Sequence, residues 1–266
     1  MKIVLFGSTG MLGRYIYSIL KNNYDVLCIL RSNYDIEIDS WNKLEEILIS
    51  SLQKNDVIIN CAGIIPQKYK NDNFKSYIRV NTLFPHKLNE ISKKNSYKFI
   101  HITTDCVYDG SKGNYSVNDV HNSKDIYGIS KSQGEPEEAT IIRTSIIGEE
   151  LTWKKSLIEW VKSQKNGTIN GYVNHYWNGV TCFELAKYIK NILDNNTFWN
   201  GIKYICSPNI VTKYELCCYI NEIYDLNINI EKYEDSISKN MTLCGENISE
   251  NDIFSQIVDL YKYSLM

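Results

Sequence analysis

The sequence predicts a doubly wound α/β fold, a mainly parallel sheet with helices on both faces. Two observations predict it. Short, apolar, β-branched runs alternate with amphipathic helical stretches through the first half of the chain, and a glycine-rich turn directly follows the first run. Strands that are apolar on both faces need helices on each side, and right-handed crossovers then give the doubly wound arrangement.

Apolar periodicity gives the order of the elements. We expect strands over 2–6, 26–30, 57–60, 99–102 and 140–143, and helices over 11–20, 41–52, 80–92 and from about 127. After residue 150 the pattern changes to helices over 156–164 and 182–193, a polar and aromatic stretch over 168–178, and a strand over 202–206. The sequence therefore predicts a sheet domain over 1–150 and a smaller substrate-binding domain over 151–266, partly interleaved with the last strands.

Composition and charge exclude several classes of protein. Hydrophobic residues make up 43% of the 266 residues and charged residues 23%, which excludes a disordered or fibrous chain. The net charge of −2 provides no basic field that would attract nucleic acid or an anionic membrane. No apolar run approaches the roughly 18 residues that cross a bilayer. The segment 1–7 reaches a glycine turn too early to be read as a signal peptide, so we expect it to form the first strand. We expect a cytoplasmic protein.

The eight cysteines have no C-x-x-C spacing and no histidines at metal-ligand spacing. Without a secretion signal, this pattern favours reduced thiols and no metal site.

The glycine-rich turn at residues 7–13 is the first candidate functional motif. Gly7 permits a tight turn, Gly10 permits backbone N–H groups to approach a pyrophosphate, and Gly13 permits close packing of helix and strand. The following helix would direct the positive end of its dipole at the phosphates. The cofactor-binding residues that we predict in this turn are Gly7, Thr9, Gly10, Met11, Leu12 and Gly13.

The end of the second strand predicts which dinucleotide binds. A carboxylate there would hold the ribose 2′-hydroxyl of NAD, whereas basic residues accommodate the 2′-phosphate of NADP. Arg31 and Ser32 stand at this position, so NADPH is favoured and NADH is the alternative. A solvated surface arginine is the other interpretation of Arg31. Ile38 is expected to border the adenine.

A second group of residues predicts proton-transfer chemistry. Tyr127 and Lys131 are four apart and lie on one helix face, where an ammonium would favour the phenolate and lower the pKa of the phenol. Thr104 follows an apolar strand, and ligands of open α/β sheets bind beyond the carboxyl ends of the strands. Thr104 could therefore hydrogen-bond a substrate carbonyl or hydroxyl beside Tyr127; a turn-capping threonine is the alternative.

Taken in order, these motifs resemble those of the extended short-chain dehydrogenase/reductases. More narrowly, they resemble the nucleotide-sugar reductases that include dTDP-4-dehydrorhamnose reductase. The resemblance covers roughly residues 1–220. The motifs that carry it are Gly7–Gly13, Asn60-Cys61-Ala62-Gly63, Val80-Asn81, Thr103-Thr104-Asp105, Tyr127 with Lys131, and Arg143-Thr144-Ser145.

The resemblance implies a Rossmann domain and a role for each matching residue. Tyr127 would be the proton donor, Lys131 would lower its pKa and hold the nicotinamide ribose, and Thr104 would polarise the substrate carbonyl. The backbone of Cys61, Ala62 and Gly63 would pass under the cofactor. The implied activity is NADPH-dependent reduction of the C4 ketone of a UDP- or dTDP-linked 4-keto-6-deoxy sugar, in rhamnose-like or acetamido-deoxysugar biosynthesis, with a coupled epimerase activity as an option.

Two segments bear on the substrate. Related dehydratases carry an Asp-Glu acid–base pair directly after the catalytic threonine, whereas this chain has Asp105-Cys106, which favours reduction over dehydration. Asn174, His175 and Trp177 provide amide, imidazole and aromatic groups suited to gripping a sugar and stacking on a base. With Thr104 and Asp105 they form the predicted substrate-binding set. A packed aromatic turn is the alternative for 170–178.

Other functions remain open at this point. The same fold also serves as the non-catalytic, NADP-binding regulatory subunit of methionine adenosyltransferase, although such a subunit has no need of Thr104, Tyr127 and Lys131 together. An NAD-dependent nucleotide-sugar epimerase would favour an acidic residue where Arg31 stands. The oligomeric state is not fixed by the sequence, and a homodimer is one option.

Overall fold

The computed structural model describes residues 1–67, 73–152, 154–247 and 251–265, the side chain of residue 247 excepted. The chain divides into two compact units. The first comprises Met1–Val107, Ser123–Arg143 and Ile189–Ile202, and the second comprises Tyr108–Asn122, Thr144–Tyr188 and Lys203–Met266. Residues 108–122 thus belong to the second unit and residues 189–202 to the first, on the other side of the boundary that was expected at residue 150 with partial interleaving. Segments 108–122 and 189–202 pack with parts of the chain that are distant in sequence, which local patterning does not reveal.

The first unit is built around a parallel sheet. The order of its strands is β5-β4-β3-β1-β2, and β1 pairs in parallel with β2 and β3, as β3 does with β4. This arrangement confirms the predicted fold class. The strands are β1 (Lys2–Phe6), β2 (Asp25–Ile29), β3 (Val57–Asn60), β4 (Lys98–Thr104) and β5 (Thr140–Thr144).

Helices connect these strands and cover the sheet. Apolar side chains from strands and helices, among them Phe6, Leu44, Ile58, Phe84 and Leu88, form one buried cluster. Burial of each such side chain contributes about 1.5–3 kcal/mol to stability. The helices are α1 (Met11–Leu20), α2 (Trp41–Ser51), α3 (Phe74–Tyr77), α4 (Phe84–Asn95) and α5 (Ile126–Ser132).

The segment before α4 differs from the prediction of one helix over 80–92. A π-helical stretch, Ile78–Leu83, separates α3 from α4. Inside it the buried amide of Asn81 accepts a hydrogen bond from the Ile64 N–H (2.8 Å) and donates to the Ile64 carbonyl (3.0 Å) and to Ser130 Oγ (3.1 Å). These bonds tie the loop after β3 to α5. Hydrophobic periodicity cannot reveal such a π-bulge, a feature that is frequent at functional sites.

The second unit combines short strands with helices. β8 pairs with β11 and β13, β7 pairs in parallel with β12, β6 with β9, and β10 with β14. α7 (Cys182–Asn195) and β10 (Gly201–Cys206) each have residues in both units. The other elements are β6 (Ile146–Ile147), α6 (Leu157–Ser163), β7 (Thr168–Tyr172), β8 (His175–Trp177), β9 (Val180–Thr181), β11 (Val211–Thr212), α8 (Lys213–Ile223), β12 (Asn229–Tyr233), β13 (Lys239–Asn240), β14 (Glu246–Asn247) and α9 (Ile253–Ser264).

Candidate active site

The glycine turn between β1 and α1 is closely packed against the end of β3. Gly7 has a φ of +77°, and a Cβ at this position would lie 2.6 Å from the Ala62 nitrogen. A Cβ on Gly13 would overlap the Gly7 carbonyl, whereas one on Gly10 would stand 3.2 Å from that oxygen. Gly7 and Gly13 are therefore required by the backbone itself, while Gly10 is less constrained.

The start of α1 presents backbone N–H groups without a capping side chain. Its N-cap is Gly10, and the first turn contains no acidic residue. By contrast, α5 and α6 begin with the side chains of Asp125 and Ser156 accepting a backbone hydrogen bond. The uncapped amides and the positive end of the helix dipole suit an anionic group such as a diphosphate. Thr9 is exposed, Met11 begins the helix, and Leu12 is buried in the core.

The segment after β2 forms an exposed turn. Arg31 Nε donates to Asp35 Oδ2 (2.8 Å) and an Arg31 terminal nitrogen to Glu37 Oε2 (2.6 Å), although the Arg31 side chain remains 65% exposed. Ser32 is exposed, and Ile38 is 79% exposed, which is unusual for so large an apolar side chain. A 2′-phosphate at Arg31 would have to share the guanidinium with these two carboxylates.

The end of β3 is held by one side-chain amide and one backbone hydrogen bond. Asn60 Oδ1 accepts a hydrogen bond from the Ala62 N–H (3.0 Å), and the Cys61 N–H donates to the Phe6 carbonyl (3.0 Å). Gly63 is exposed. Together these contacts fix the backbone of Cys61 and Ala62 beside the glycine turn. The passage of residues 61–63 under the cofactor remains a prediction.

The carboxyl end of β4 brings Thr104 and Tyr127 into contact. The Tyr127 phenol lies close to the Thr104 hydroxyl, which lowers the pKa of the phenol, and the Tyr127 ring packs against an apolar cluster that contains Ile64. The Thr104 hydroxyl also donates to Asp105 Oδ1 (3.1 Å) and accepts from the Cys106 N–H (3.2 Å). The predicted pair of hydroxyl-bearing side chains is therefore assembled within the first unit.

Lys131 lies one turn further along α5, with its side chain buried. Its ammonium donates to the Ile102 carbonyl on β4 (2.9 Å). Burial lowers the pKa of Lys131 to about 8, while the Glu135 carboxylate and the Cys61 thiol oppose this fall. Lys131 thus connects α5 to the strand that ends at Thr104.

The pKa of Tyr127 is raised, opposite to the direction expected from the sequence. Burial is the largest cause, and Cys106, Asp105 and Asp125 add to it, whereas the Thr104 hydroxyl lowers the pKa. Lys131 directs its ammonium to a backbone carbonyl, which explains why helical spacing alone gave the wrong direction. The phenol is consequently protonated at neutral pH.

The three residues predicted on the 170–178 segment lie in the second unit. The amide of Asn174 donates to the Asp235 carbonyl (2.7 Å) and accepts from the Asp235 N–H (3.1 Å). His175 Nε2 is 3.1 Å from Asp235 Oδ2, and its ring stacks on Tyr172 with centroids 4.6 Å apart. Trp177 is only 2% exposed and packs inside the unit. Roles for these residues in substrate binding remain predictions.

Sequence reasoning assigned no role to a buried network behind the site. Thr103 Oγ1 donates to Glu135 Oε1 (2.8 Å), and the guanidinium of Arg143 pairs with the same carboxylate. Asn81 joins the β3 loop to α5, as described above. Asn81 and Arg143 lie in motifs that carry the family resemblance, so the sequence held a signal for these two residues. Glu135 stands eight residues after Tyr127 and belongs to none of those motifs.

In the described part of the chain, no group of three or more His, Cys, Asp or Glu side chains is arranged to hold a metal ion. Within the same ranges, no helix has both the length and the apolar character needed to cross a bilayer.

The glycine turn, the parallel sheet and the Thr104–Tyr127–Lys131 set together define the extended short-chain dehydrogenase/reductase class. Within it, the RmlD substrate binding domain family matches residues 1–169. Because this match covers well over half of the chain, the chain belongs to that family.

Individual relatives agree with this assignment. A methionine adenosyltransferase 2 subunit beta from Danio rerio is 26% identical over 244 residues, 85% of this chain and 74% of that protein. A dTDP-4-dehydrorhamnose reductase from Aggregatibacter actinomycetemcomitans is 32% identical over 149 residues, 55% of this chain. The chain spans 49% of the length of that reductase.

The same fold is found in solved structures. A crystal structure of dTDP-4-dehydrorhamnose reductase from Bacillus anthracis str. Ames in complex with NADP matches with a TM-score of 0.80. The match covers 99% of this chain and 100% of that chain at 16% identity. At this identity the likeness concerns the fold.

Proposed function

We propose that the protein is an NADPH-dependent reductase of a nucleotide-linked 4-keto-6-deoxy sugar. The observation that carries the proposal is the assembly of Thr104, Tyr127 and Lys131 at the carboxyl end of β4, with the glycine turn in the same unit. Relatives named as dTDP-sugar reductases support the same reaction class.

The residues of the first unit fit the dinucleotide. The uncapped start of α1 offers N–H groups to a diphosphate, Arg31 offers a guanidinium to a 2′-phosphate, and the exposed Ile38 offers an apolar surface to an adenine. NADPH would supply the hydride that reduces the ketone. NADH is the weaker candidate because it lacks the phosphate that Arg31 would contact.

Tyr127 acts as the proton donor in this proposal. Since its raised pKa keeps the phenol protonated, it can give a proton to the oxygen of the ketone as that oxygen becomes an alkoxide. Thr104 can turn the hydroxyl proton that it donates to Asp105 towards the same oxygen, which stabilises the developing charge. Because the two hydroxyls lie close together, both can reach one ketone oxygen.

Lys131 supports the step by its charge. Once Tyr127 has given up its proton, a phenolate is left in a buried environment. The ammonium of Lys131 reduces the cost of that charge if it turns from the Ile102 carbonyl towards the phenolate. The resemblance also assigns to Lys131 the nicotinamide ribose, whose hydroxyls an ammonium can donate to.

Cys106 supports reduction over dehydration. Burial raises the pKa of its thiol, and the Asp105 carboxylate raises it further. A thiol that stays protonated cannot serve as the base that elimination across C5 and C6 requires. The same argument weighs against Cys106 as a base for a coupled epimerisation, which remains an additional prediction that analysis of the product stereochemistry would test.

The identity of the sugar nucleotide is the finer part of the proposal. UDP and dTDP are the candidate nucleotides, and the sugar is rhamnose-like or carries a 2-acetamido group. Asp105 in the first unit and Asn174, His175 and Trp177 in the second are the predicted substrate contacts. Because Asn174 and His175 already bond to Asp235, any contact they make with the sugar has to add to those bonds.

The test is NADPH oxidation at 340 nm with UDP- and dTDP-linked 4-keto-6-deoxy sugars, each with and without the acetamido group. We expect turnover with one of these four, and loss of turnover in Tyr127→Phe. If all four are inert while NADPH binds, the reductase proposal fails.

A regulatory function is the second candidate, because the match to the methionine adenosyltransferase subunit extends over 85% of this chain. In that case NADP would bind without turnover and the protein would associate with a catalytic adenosyltransferase subunit. A pull-down with that subunit separates the two functions.

An NAD-dependent epimerase is the third candidate. NAD-dependent interconversion of UDP-sugars would reveal this activity. The cytoplasmic location and a homodimer remain predictions.

A further inference from the structure

Glu135 is a buried carboxylate directly behind the candidate active site. It follows α5, the helix that carries Tyr127 and Lys131, and its side chain is 4% exposed. An ionised carboxylate costs several kcal/mol to bury unless partners compensate it. A carboxylate buried at this cost is therefore expected to have a role other than keeping the protein surface polar.

Two side chains hold this carboxylate in place. Arg143 on β5, itself fully buried, reaches Glu135 Oε1 through Nε at 3.2 Å and Glu135 Oε2 through a terminal nitrogen. Thr103 Oγ1 donates to Oε1 at 2.8 Å. Three hydrogen bonds from β4 and β5 thus fix both oxygens. Thr103 is adjacent to Thr104, so the same carboxylate is tied to the strand end that forms the site.

Glu135 lies one turn beyond Lys131, in a surrounding with few other charges. The Cys61 thiol, which also faces Lys131, is protonated because burial raises its pKa to about 12. His101 on β4 has a pKa well below its usual range, owing to burial and to Lys131, so it is neutral. Arg143 is the other charged group of this cluster.

Lys131 Nζ donates to the Ile102 carbonyl (2.9 Å), and Glu135 Oε1 accepts from the side chain of the next residue of β4, Thr103 (2.8 Å). Both charged groups are therefore held at the same point of β4, where the carboxylate favours the ammonium form of Lys131.

We propose that Glu135 is a positioning residue that keeps Lys131 protonated, with Arg143 and Thr103 fixing the carboxylate where it can do so. Its significance for catalysis rests on the proposed function, but the charge state of Lys131 does not. Glu135 touches neither substrate nor cofactor in this account and acts through Lys131 alone.

The test is a direct titration of Lys131 in the full-length protein. Lysine labelled with ¹³C at Cε is incorporated, and the Lys131 resonance is assigned by its loss in Lys131→Arg. The midpoint of its pH titration is then measured in the native protein, in Glu135→Gln and in Glu138→Gln. Glu138 is the matched control, since it lies in the same segment but is 59% exposed and pairs with Lys93.

The expected result is a fall in the Lys131 midpoint of about one unit or more in Glu135→Gln, and no change in Glu138→Gln. Glu135→Gln leaves the Arg143 charge buried and unpaired, so this variant could fail to fold. Glu135→Gln combined with Arg143→Gln replaces the ion pair by two amides and keeps the measurement accessible. A smaller fall is expected for it, because the loss of the Arg143 cation offsets part of the effect.

An unchanged Lys131 midpoint in whichever of these variants folds would overturn the proposal, because a merely structural role would alter stability and leave the titration in place. Turnover supplies a second readout. If a sugar substrate is found, the pH at which kcat/KM declines on the basic side should fall in Glu135→Gln and not in Glu138→Gln. If no substrate is found, the titration still decides the role of Glu135.

Discussion

At the scale of single residues, burial acts on the two groups of the Tyr127–Lys131 pair in opposite directions. It raises the pKa of the Tyr127 phenol and lowers the pKa of the Lys131 ammonium, because in each case the charged form loses solvation. The outcome is a protonated phenol beside a lysine that titrates close to physiological pH. This combination suits donation of a proton by Tyr127.

Replacing Tyr127 by Phe removes the proposed proton donor and changes little else. We expect kcat to fall about 10²–10⁴-fold, the usual contribution of general acid catalysis. The affinity for NADPH should stay within a few-fold of the native value. Initial rates at 340 nm and fluorescence titration with NADPH measure the two quantities. Tyr17→Phe, at an exposed tyrosine of α1, is the control. A Tyr127→Phe variant with native kcat would contradict the assignment.

The pKa of Lys131 gives a pH dependence with a defined sign. Below about pH 8 the ammonium is present, and above that pH it is lost, so kcat/KM should decline as the pH rises through about 8. A lysine with an ordinary pKa near 10.5 would instead sustain the rate to about pH 10. A pH profile of kcat/KM distinguishes these cases. A plateau that continues to pH 10 would rule out this role for Lys131.

Arg31 provides a test of cofactor choice. Since a charge-assisted hydrogen bond contributes about 1.5–3 kcal/mol, Arg31→Ala should weaken NADPH binding roughly tenfold or more. The affinity for NADH, which has no 2′-phosphate, should hardly change. Calorimetric titration with both cofactors measures the effect, and Lys54→Ala at an exposed lysine is the control. An equal loss of affinity for both cofactors would show that Arg31 does not contact the 2′-phosphate.

At the scale of elements, the β1–α1 turn depends on its glycines to different degrees. In Gly13→Ala the added methyl group overlaps the Gly7 carbonyl, whereas in Gly10→Ala the added methyl group lies 3.2 Å from that oxygen. We expect Gly13→Ala to lower the free energy of unfolding by about 1–3 kcal/mol. Gly10→Ala, its matched control, should cost less. Urea denaturation of the two variants compares them directly, and equal stabilities would contradict the packing described for Gly13.

Much of the first unit could be predicted from sequence because its elements have strong local signals. The strand Lys2–Phe6, the helix Met11–Leu20 and the strand Val57–Asn60 have the predicted bounds. Each is a clear apolar run or an amphipathic period beside a turn. The predicted start of the helix over 80–92 was wrong, because α4 begins only after a π-helical stretch at Ile78–Leu83. That stretch contains Asn81, whose hydrogen bonds reach residues far away in sequence.

The candidate site could be predicted only in part, for a similar reason. Thr104, Tyr127 and Lys131 stand in motifs that resemble known reductases, and the structure places all three in one unit. The pairing of Glu135 with Thr103 and Arg143 is fixed by the order of β4 and β5 in the sheet, which no sequence spacing encodes. The direction of the Tyr127 pKa likewise depends on burial, which is a property of the folded chain.

At the scale of the whole molecule, the chain alternates repeatedly between its two units. The first holds the glycine turn and the proton-transfer residues, and the second holds Asn174, His175 and Trp177. Family membership is carried by residues 1–169, which include all of the candidate catalytic residues. The proposed reduction of a sugar ketone by NADPH would use predicted residues of both units, so it has to be measured on the whole chain.

We would measure the transfer of deuterium to the sugar nucleotide from NADPH that carries deuterium at both C4 positions of the nicotinamide, by mass spectrometry of the product. For the native protein we expect one deuterium in each product molecule, and for Tyr127→Phe the same label at a much lower rate. A product without deuterium, or NADPH that binds and is never consumed by any of the four keto sugars, would contradict the account.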